Sequence, residues 1–544
     1  MTSHSPNRSL VSASTVGQPT TSHSPRAMPP PRHPDGSPAV PCLGDQRWLV
    51  ALLFAGFTAA MVGAYWDAET HTKVGRDSFF ILPHLAIYSG IAGSGAALML
   101  WAASTARLHG SRKVFFSHPP MTMAAIAAGV ILVAAPIDNA WHAAFSRDAV
   151  LWSPPHLLGV VSAVALPTSA LLEMARLEGK RRFVLVALAG AFTIAGLVAV
   201  VTEYETDVPQ FAESLYLPIL CGVTALAFTI VQKASRARWA ATVSAAIYLV
   251  LMLVTSGFLL AVNFAVPVLP LLFIPAALSD LLLRRRAPSW LRGLLHAIVV
   301  FAVYVPYLDF VRNGMQILSG DIVVGLPLAI LASWLAYALI PARPTLRETR
   351  LARWTTKRLR RWMTVFVLAV GAFALLAAPA FAHDPGQGPK VGRVRLAATV
   401  IGDRVNFSGE ILKDCSTFTP HRMAARRAGL TLYAPLTPLP PCGFVGTMRL
   451  RERGRSRGRW FVYAELRHQP HPSETWLLVS VGGAKSFSGT RFIYTPPARN
   501  AATTIKVASS IVMYTVIVIL MTMVFVLVRR FDPAATQGPG PRVA

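Results

Sequence analysis

Residues 137–156 read IDNAWHAAFSRDAVLWSPPH and connect two apolar segments of the chain. Residues 66–84 read WDAETHTKVGRDSFFILPH and connect an earlier pair of apolar segments. Both stretches contain an Asp, a His four residues later, a second Asp and a final Pro-His pair. The shared positions are Asp67, His71, Asp77 and Pro83-His84 in the first copy, and Asp138, His142, Asp148 and Pro155-His156 in the second. We interpret each copy as the turn of a helical hairpin, because Pro suits the first turn of the returning helix.

The composition is that of a helical membrane protein. Hydrophobic residues make up 53% of the 544 residues, and charged residues make up only 14%, which is unlike a soluble enzyme. Twelve apolar segments are long enough to cross a bilayer. They begin near Trp48, His84, Met121, His156, Phe183, Leu217, Ala240, Val266, Leu294, Ile322, Met363 and Ile505. The sequence therefore predicts a mainly α, polytopic fold with about 12 spans.

Lys and Arg crowd alternate loops between these segments, and loops rich in basic residues stay in the cytoplasm. These loops contain Arg107 to Lys113, Arg176 to Arg182, Lys233 to Arg238, Arg284 to Arg286, Arg343 to Arg361, and Arg529 with Arg530. The pattern predicts a multi-pass protein of the inner (plasma) membrane, with both termini cytoplasmic and both Asp/His copies at the external face. Because the formal net charge of +27 lies mostly in these loops, we expect lipid and no nucleic acid as a partner.

The loops on the opposite side are poor in basic residues, and one of them is acidic. It contains Glu203, Glu205, Asp207 and Glu213. Such a cluster could attract cations, but more often it is a solvated loop, which is what we expect here. Asp309, close to the end of a later span, is a weaker candidate for lining a pathway.

The first two thirds of the chain divide into a tail and two groups of helices. Residues 1–46 are rich in Ser, Pro, Thr and His, a composition that cannot bury a core, so we expect a disordered cytoplasmic tail. Residues 47–175 contain the duplicated two-span unit. Residues 176–362 contain helices five to ten and a basic cytoplasmic loop.

A second unit begins inside the chain. Residues 363–382 are apolar, follow a basic stretch and end in Ala380-Phe381-Ala382, the pattern of a signal peptide. Residues 383–503 contain strand-like runs separated by Gly and Pro turns, which predict an external β-sandwich domain. Residues 504–530 predict a C-terminal anchor span, and residues 531–544 a cytoplasmic tail.

Two of the four cysteines, Cys415 and Cys442, lie in the predicted external domain. An oxidising compartment permits disulfides, so we expect a bridge between them, with a pair of free metal-binding thiols as the alternative. We interpret Cys42 as an ordinary residue of the tail and Cys221 as a buried residue of a span.

The Asp/His motifs suggest metal binding. Asp and His four residues apart share one face of a helix, and a His at a helix N-terminus stays neutral and ready to coordinate. The candidate ligands are Asp67, His71, His84, Asp138, His142 and His156. The alternative is that they cap helices and contact lipid headgroups. If one copy alone holds metal, the stiff Trp152-Ser153-Pro154-Pro155 segment favours the second copy.

The second copy resembles a known copper-ligand pattern. Asp138-x-x-x-His142 followed by His156 is similar to the motif in the membrane subunit of particulate methane and ammonia monooxygenases. The last two histidines are fourteen residues apart in this copy and thirteen apart in the first. The resemblance implies copper as the cofactor, with another divalent metal as the alternative.

A further resemblance concerns His383, which directly follows Ala-Phe-Ala. Cleavage there would make it an N-terminal residue, similar to the copper-binding histidine of that family's anchored β-domain subunit and of periplasmic copper carriers. His468 or His471 could complete such a site. The alternatives are an uncleaved linker for His383 and a solvated loop for the other two.

Three functions follow from these observations. The leading hypothesis is copper handling or delivery at the external face, in exchange with a copper carrier or with other membrane subunits. The alternative is a membrane monooxygenase-like copper oxidoreductase that holds its metal with Asp138, His142 and His156. A third hypothesis is a proton- or cation-coupled transporter. An apolar cavity beside the histidines would favour the enzyme over the carrier.

Overall fold

The computed structural model describes residues 42–73, 80–110, 118–145, 151–209, 211–235, 237–311, 315–340, 389–450, 455, 457–468, 470–495 and 503–531, with backbone alone at 142–145. The predicted tail up to residue 41, the signal-like span 363–382 and the residues Asp77, Asp148 and His383 lie outside the described residues.

The helices of the described residues are mostly long. They are α1 (Arg47–Lys73), α2 (Leu82–His109), α3 (Pro119–Phe145), α4 (Pro154–Met174), α5 (Gly179–Val198), the short α6 (Thr202–Glu205), α7 (Tyr216–Ser235), α8 (Ala240–Ala261), α9 (Phe273–Arg284), α10 (Ser289–Val311), α11 (Ser319–Leu339) and α12 (Thr503–Arg530). Ten helices in this part of the chain are long and apolar enough to cross a membrane. The protein is thus built as a multi-pass membrane protein.

The span predicted near Val266 differs from the others. Residues 264–271 are irregular, and α9 has only 12 residues. Pro267 and Pro270 explain the difference, because each lacks an amide donor and disfavours helix in the residue before it. The backbone of this segment still finds a partner, since the Val268 amide donates to the Glu205 carbonyl at 2.9 Å.

The two helices of the first hairpin approach each other closely. A Cβ atom added to Gly90 of α2 would lie 2.5 Å from the Gly56 carbonyl oxygen of α1. Small residues at such crossings let helix backbones touch. The crossing fixes α1 against α2 and thereby brings the motif residues of the two helices together.

The predicted tail is partly ordered at its end. Leu43–Asp45 form a 3-10 turn, and Leu43 is fully buried. The prediction of disorder through residue 46 is therefore wrong for residues 42–46. The physical reason is that the turn packs against Leu177, beyond the end of α4, so a short apolar segment is buried by the bundle.

The C-terminal domain (the β-domain) is antiparallel and barrel-like. Its strands are β1 (Lys390–Ile401), β2 (Arg404–Ile411), β3 (Phe418–Arg427), β4 (Leu430–Pro435), β5 (Thr437–Leu439), β6 (Gly443–Arg449), β7 (Gly458–His468), β8 (His471–Val481) and β9 (Ala484–Tyr494). Their order is β4-β3-β7-β8-β9-β1-β2-β6-β5. A single residue pair, Glu474 with Tyr494, joins β8 to β9. The two separate sheets of a sandwich are not confirmed.

The core of the β-domain follows the alternation of its strands. Val394, Leu396, Ala398 and Val400 of β1 are buried, and the residues between them are exposed. Cys415 and Cys442, the pair expected from the sequence, form a disulfide with Cα atoms 5.5 Å apart, a usual separation.

The anchor helix α12 returns to the second hairpin. Tyr514, Ile517 and Leu520 of α12 pack in one cluster with Ala134 of α3 and Leu158 of α4. Met513 contacts Trp141, the neighbour of His142. The last helix of the chain is therefore part of the bundle and more than a tether.

The β-domain docks on the bundle through buried ion pairs. Arg427 at the end of β3 donates to Asp207 Oδ1 at 2.9 Å and to Glu213 Oε1 at 2.7 Å. All three side chains are buried. Burial alone would lower the pKa of the Arg427 guanidinium, but the charges of Asp207 and Glu213 outweigh it and raise the pKa. The arginine is therefore held in its charged form.

Neighbouring arginines extend these contacts. Arg455 donates to Glu213 at 3.2 Å and to Asp321 at 2.9 Å, and Arg457 donates to Asp309 at 2.8 Å. Asp309, a predicted pathway residue, thus pairs with the β-domain. The prediction of a solvated acidic loop is wrong, because all four carboxylates are buried. Asp207 and Glu213 pair with arginines of the β-domain. Within the bundle, Glu203 accepts a hydrogen bond from the Leu151 amide, and Glu205 accepts one from the Tyr65 hydroxyl.

We expect Arg427→Met to destabilise the protein by about 3–5 kcal/mol, because it leaves the Asp207 side chain buried without its guanidinium partner and Glu213 with Arg455 alone. Arg395→Met is the matched control, since Arg395 pairs with Glu410 on the exposed surface and such pairs contribute about 0–1 kcal/mol. Thermal unfolding of the purified full chain measures both. Equal unfolding temperatures for the two variants would contradict the importance of the docking pairs.

Candidate metal centre

Three residues of the first copy meet at the end of the bundle that faces the β-domain. Asp67 and His71 lie one turn apart at the end of α1, and His84 lies in the first turn of α2, directly after Pro83. Asp67 Oδ1 is 3.3 Å from His71 Nε2 and 3.0 Å from His84 Nε2. The two imidazole rings are perpendicular, with centroids 5.7 Å apart. The local spacing of the motif therefore produces a cluster across both helices.

The cluster is buried. His71 is 5% exposed and His84 is 6% exposed. Neither ring nitrogen of His71 has a hydrogen-bond partner among the described residues, although Asp67 lies nearby. A buried polar atom without a partner costs free energy. An ion that accepts the imidazole lone pair would remove this cost, so the observation fits a metal ligand.

The geometry also suits one metal ion. The three donor atoms lie within 4.8 Å of one another, and donors at about 2 Å from a shared ion are about 3–4 Å apart. Two imidazole nitrogens and one carboxylate oxygen suit copper, zinc, iron or nickel. Among the described residues, no other group of three or more His, Cys, Asp or Glu side chains is as close together.

The second copy supplies a similar pair. Asp138 Oδ1 of α3 lies 3.2 Å from His156 Nε2 of α4. Ser153, directly before α4, places its hydroxyl 2.9 Å from His156 Nδ1, and such contacts orient ligating histidines. His142 lies in α3, and its side chain is outside the described residues. The sequence preference for this copy stays a prediction, while the three-residue cluster lies in the first.

Both copies face one cavity of about 420 Å³. Asp67 and His84 line it from the first hairpin, and Asp138 and His156 from the second. The rest of the wall is mostly apolar and includes Phe57, Ile91, Leu132, Val160, Leu166 and Phe192. The duplication therefore places a carboxylate and an imidazole from each copy at a shared apolar space.

The remaining predicted ligands are not brought to this centre. His383 lies outside the described residues. His468 stacks on Phe418 with ring centroids 4.7 Å apart, and His471 is exposed at the start of β8. Copper binding by these histidines stays a prediction.

Two features of the site were missed from the sequence. Ser153 was interpreted only as part of a stiff segment, although a Ser before a helix start is a common capping residue whose hydroxyl is available to a neighbour. Glu69, between Asp67 and His71, received no role, yet it is fully buried and bonds to Arg459 of β7. Its partner is 390 residues away in the chain, so no local pattern indicates the contact.

Comparisons of the chain with protein-family models, with curated proteins and with solved structures found no match.

Proposed function

We propose that the chain is an integral membrane copper-binding protein that exchanges copper at the external face of the inner membrane. The observation that supports this function most directly is the buried cluster of Asp67, His71 and His84, with donor atoms within 4.8 Å of one another. Ionisable residues in membrane proteins are costly and commonly functional. The partner in exchange is a copper carrier or another membrane subunit.

Copper is favoured over other metals by two arguments. Imidazole nitrogens bind copper well, and copper heads the affinity order of the divalent first-row metals. The motif also resembles the copper-ligand pattern of the particulate monooxygenases.

A second function, a copper oxidoreductase acting on an apolar substrate, is favoured by the cavity. A bound copper ion would supply redox chemistry with oxygen. The residues of the chain would do the rest: the cavity wall would bind the substrate and exclude water, while Asp67, His84, Asp138 and His156 would border it at one side. Ligand sites are commonly concave, mostly apolar spaces with a few polar groups.

We expect the triple variant Asp67→Ala/His71→Ala/His84→Ala to lose copper, because it removes the whole donor set of the first copy. Copper bound per purified chain, measured by mass spectrometry after extensive dialysis, gives the result. His109→Ala is the control, since His109 lies at the other end of α2 and bonds to the Thr105 carbonyl.

Retention of wild-type copper by the triple variant would contradict the proposed function at this copy. The pair Asp138→Ala/His156→Ala, measured alongside, then shows whether the second copy holds the metal. A wild-type protein that binds no copper would favour the proton- or cation-coupled transporter.

For the second function, we expect Gly159→Leu to lower oxygen-dependent oxidation of a short-chain hydrocarbon at least tenfold, with copper content unchanged. Gly159 lines the cavity, and a Cβ atom there meets nothing within 4 Å, so the new side chain fills the space. Gly129→Leu is the matched control, because Gly129 of α3 is equally unobstructed and does not line the cavity. Membranes that oxidise no hydrocarbon would exclude this function and leave the carrier.

A further inference from the structure

Glu69 occupies a special position on α1. It lies two residues after Asp67 and two before His71, so its side chain is about 200° around the helix from either ligand. Its carboxylate is 1% exposed. The helix thus presents two candidate ligands on one side and a buried charge on the other.

Arg459 of β7 holds this charge. Its Nη1 donates to Glu69 Oε1 at 3.0 Å, and its Nη2 donates to Glu69 Oε2 at 3.3 Å. A bidentate guanidinium–carboxylate pair fixes direction as well as distance. Among the described residues, Arg459 is the only group that bonds to the Glu69 carboxylate, and its side chain is 14% exposed.

Arg459 is itself held by the docking contacts. Its amide donates to Asp207 Oδ2 at 3.0 Å, and its carbonyl accepts from Arg427 at 2.8 Å. Its Nη1 also donates to the Thr206 carbonyl at 2.7 Å. The Arg459 guanidinium therefore holds the end of α1 in a fixed position relative to the docked β-domain.

In the described part of the second copy, there is no equivalent of this contact. The residue that corresponds to Glu69 is Ala140, which has no charge and is exposed. The two hairpins share the Asp/His motif but differ at the position where Arg459 of the β-domain contacts α1. A contact needed only to hold the fold of the hairpin would be expected in both copies.

We propose that Arg459 is a positioning residue for the first-copy metal site, so that copper affinity in the bundle depends on the docked β-domain. This inference rests on the proposed copper-binding function. Loss of the guanidinium leaves the Glu69 carboxylate buried without a counterion, which destabilises the present position of α1 and favours a turn or shift that exposes the carboxylate to water. Asp67 and His71 move with the helix, whereas His84 stays on α2, so the three donors separate.

The test is a copper titration of the full chain in detergent, with a competing chelator. Groups that orient metal ligands contribute about 10- to 100-fold to affinity, so we expect Arg459→Met and Glu69→Gln each to weaken binding by this factor. The double variant Arg459→Met/Glu69→Gln should lose no more copper affinity than either single variant, because the two residues act through one contact. Arg459→Lys should lose less copper affinity than Arg459→Met, since lysine keeps the positive charge but cannot form the two parallel hydrogen bonds of a guanidinium.

Arg457→Met is the matched control. Arg457 also links the β-domain to the bundle, but its partner Asp309 is 76% exposed and far from the motif in sequence. We expect this variant to keep wild-type affinity and the wild-type Cu(II) paramagnetic resonance spectrum, whereas the spectrum of Arg459→Met at saturating copper changes. Equal losses in Arg457→Met and Arg459→Met would overturn the inference, because general undocking would then explain both.

Wild-type affinity and spectrum in Arg459→Met would also overturn it. If Asp67→Ala lost copper in the same experiment, the proposed function would stand without a positioning role for Arg459. If Asp67→Ala bound copper as the wild type does, the proposed function of the first copy would fail and this inference with it. An Arg459→Met chain that does not fold leaves the decision to Glu69→Gln and Arg459→Lys.

Discussion

The buried pairing of Arg427 with Asp207 and Glu213 is the constraint on which the arrangement of the two parts depends. Charges removed from water are costly unless they are paired with good geometry, and here one guanidinium satisfies two carboxylates. A directional contact of this kind tolerates one placement of the sheet on the bundle. That placement brings Arg459 to Glu69 and covers the acidic loop, so the end of the bundle that contains the Asp/His cluster is shaped by both parts of the chain.

The sequence predicted those features that depend on neighbouring residues. Two local helix properties bring three candidate ligands together. They are the four-residue spacing between Asp67 and His71 and the Pro that precedes His84. The acidic loop was misinterpreted because Glu213 and its partner Arg427 are 214 residues apart, and hydropathy along the chain contains no information on such pairs. The broken span before α9 is an intermediate case. Pro267 and Pro270 are visible in the sequence, but the Glu205 carbonyl that accepts the Val268 amide between them is not a neighbour in the chain.

The two copies of the motif share their polar residues but have different neighbours. In the first, Gly56 and Gly90 let the two helices approach closely, and Arg459 bonds to Glu69 on the side of α1 opposite the ligands. In the second, Ser153 contacts His156, and α12 packs beside Trp141. Equal motifs in unequal surroundings are a physical basis for different affinities at the two hairpins, because the groups around a ligand set its orientation and freedom.

The distance along the chain between Glu69 and Arg459 has a consequence for biosynthesis. The two residues are 390 positions apart. Because ribosomes add about 5–20 residues per second, roughly 20–80 s pass between the synthesis of Glu69 and that of Arg459. During this interval the first hairpin is already made, but its end has no permanent counterion. The first hairpin therefore reaches its final form only after the β-domain has been translated and has docked on the bundle, although the hairpin itself is among the first parts of the chain to be made.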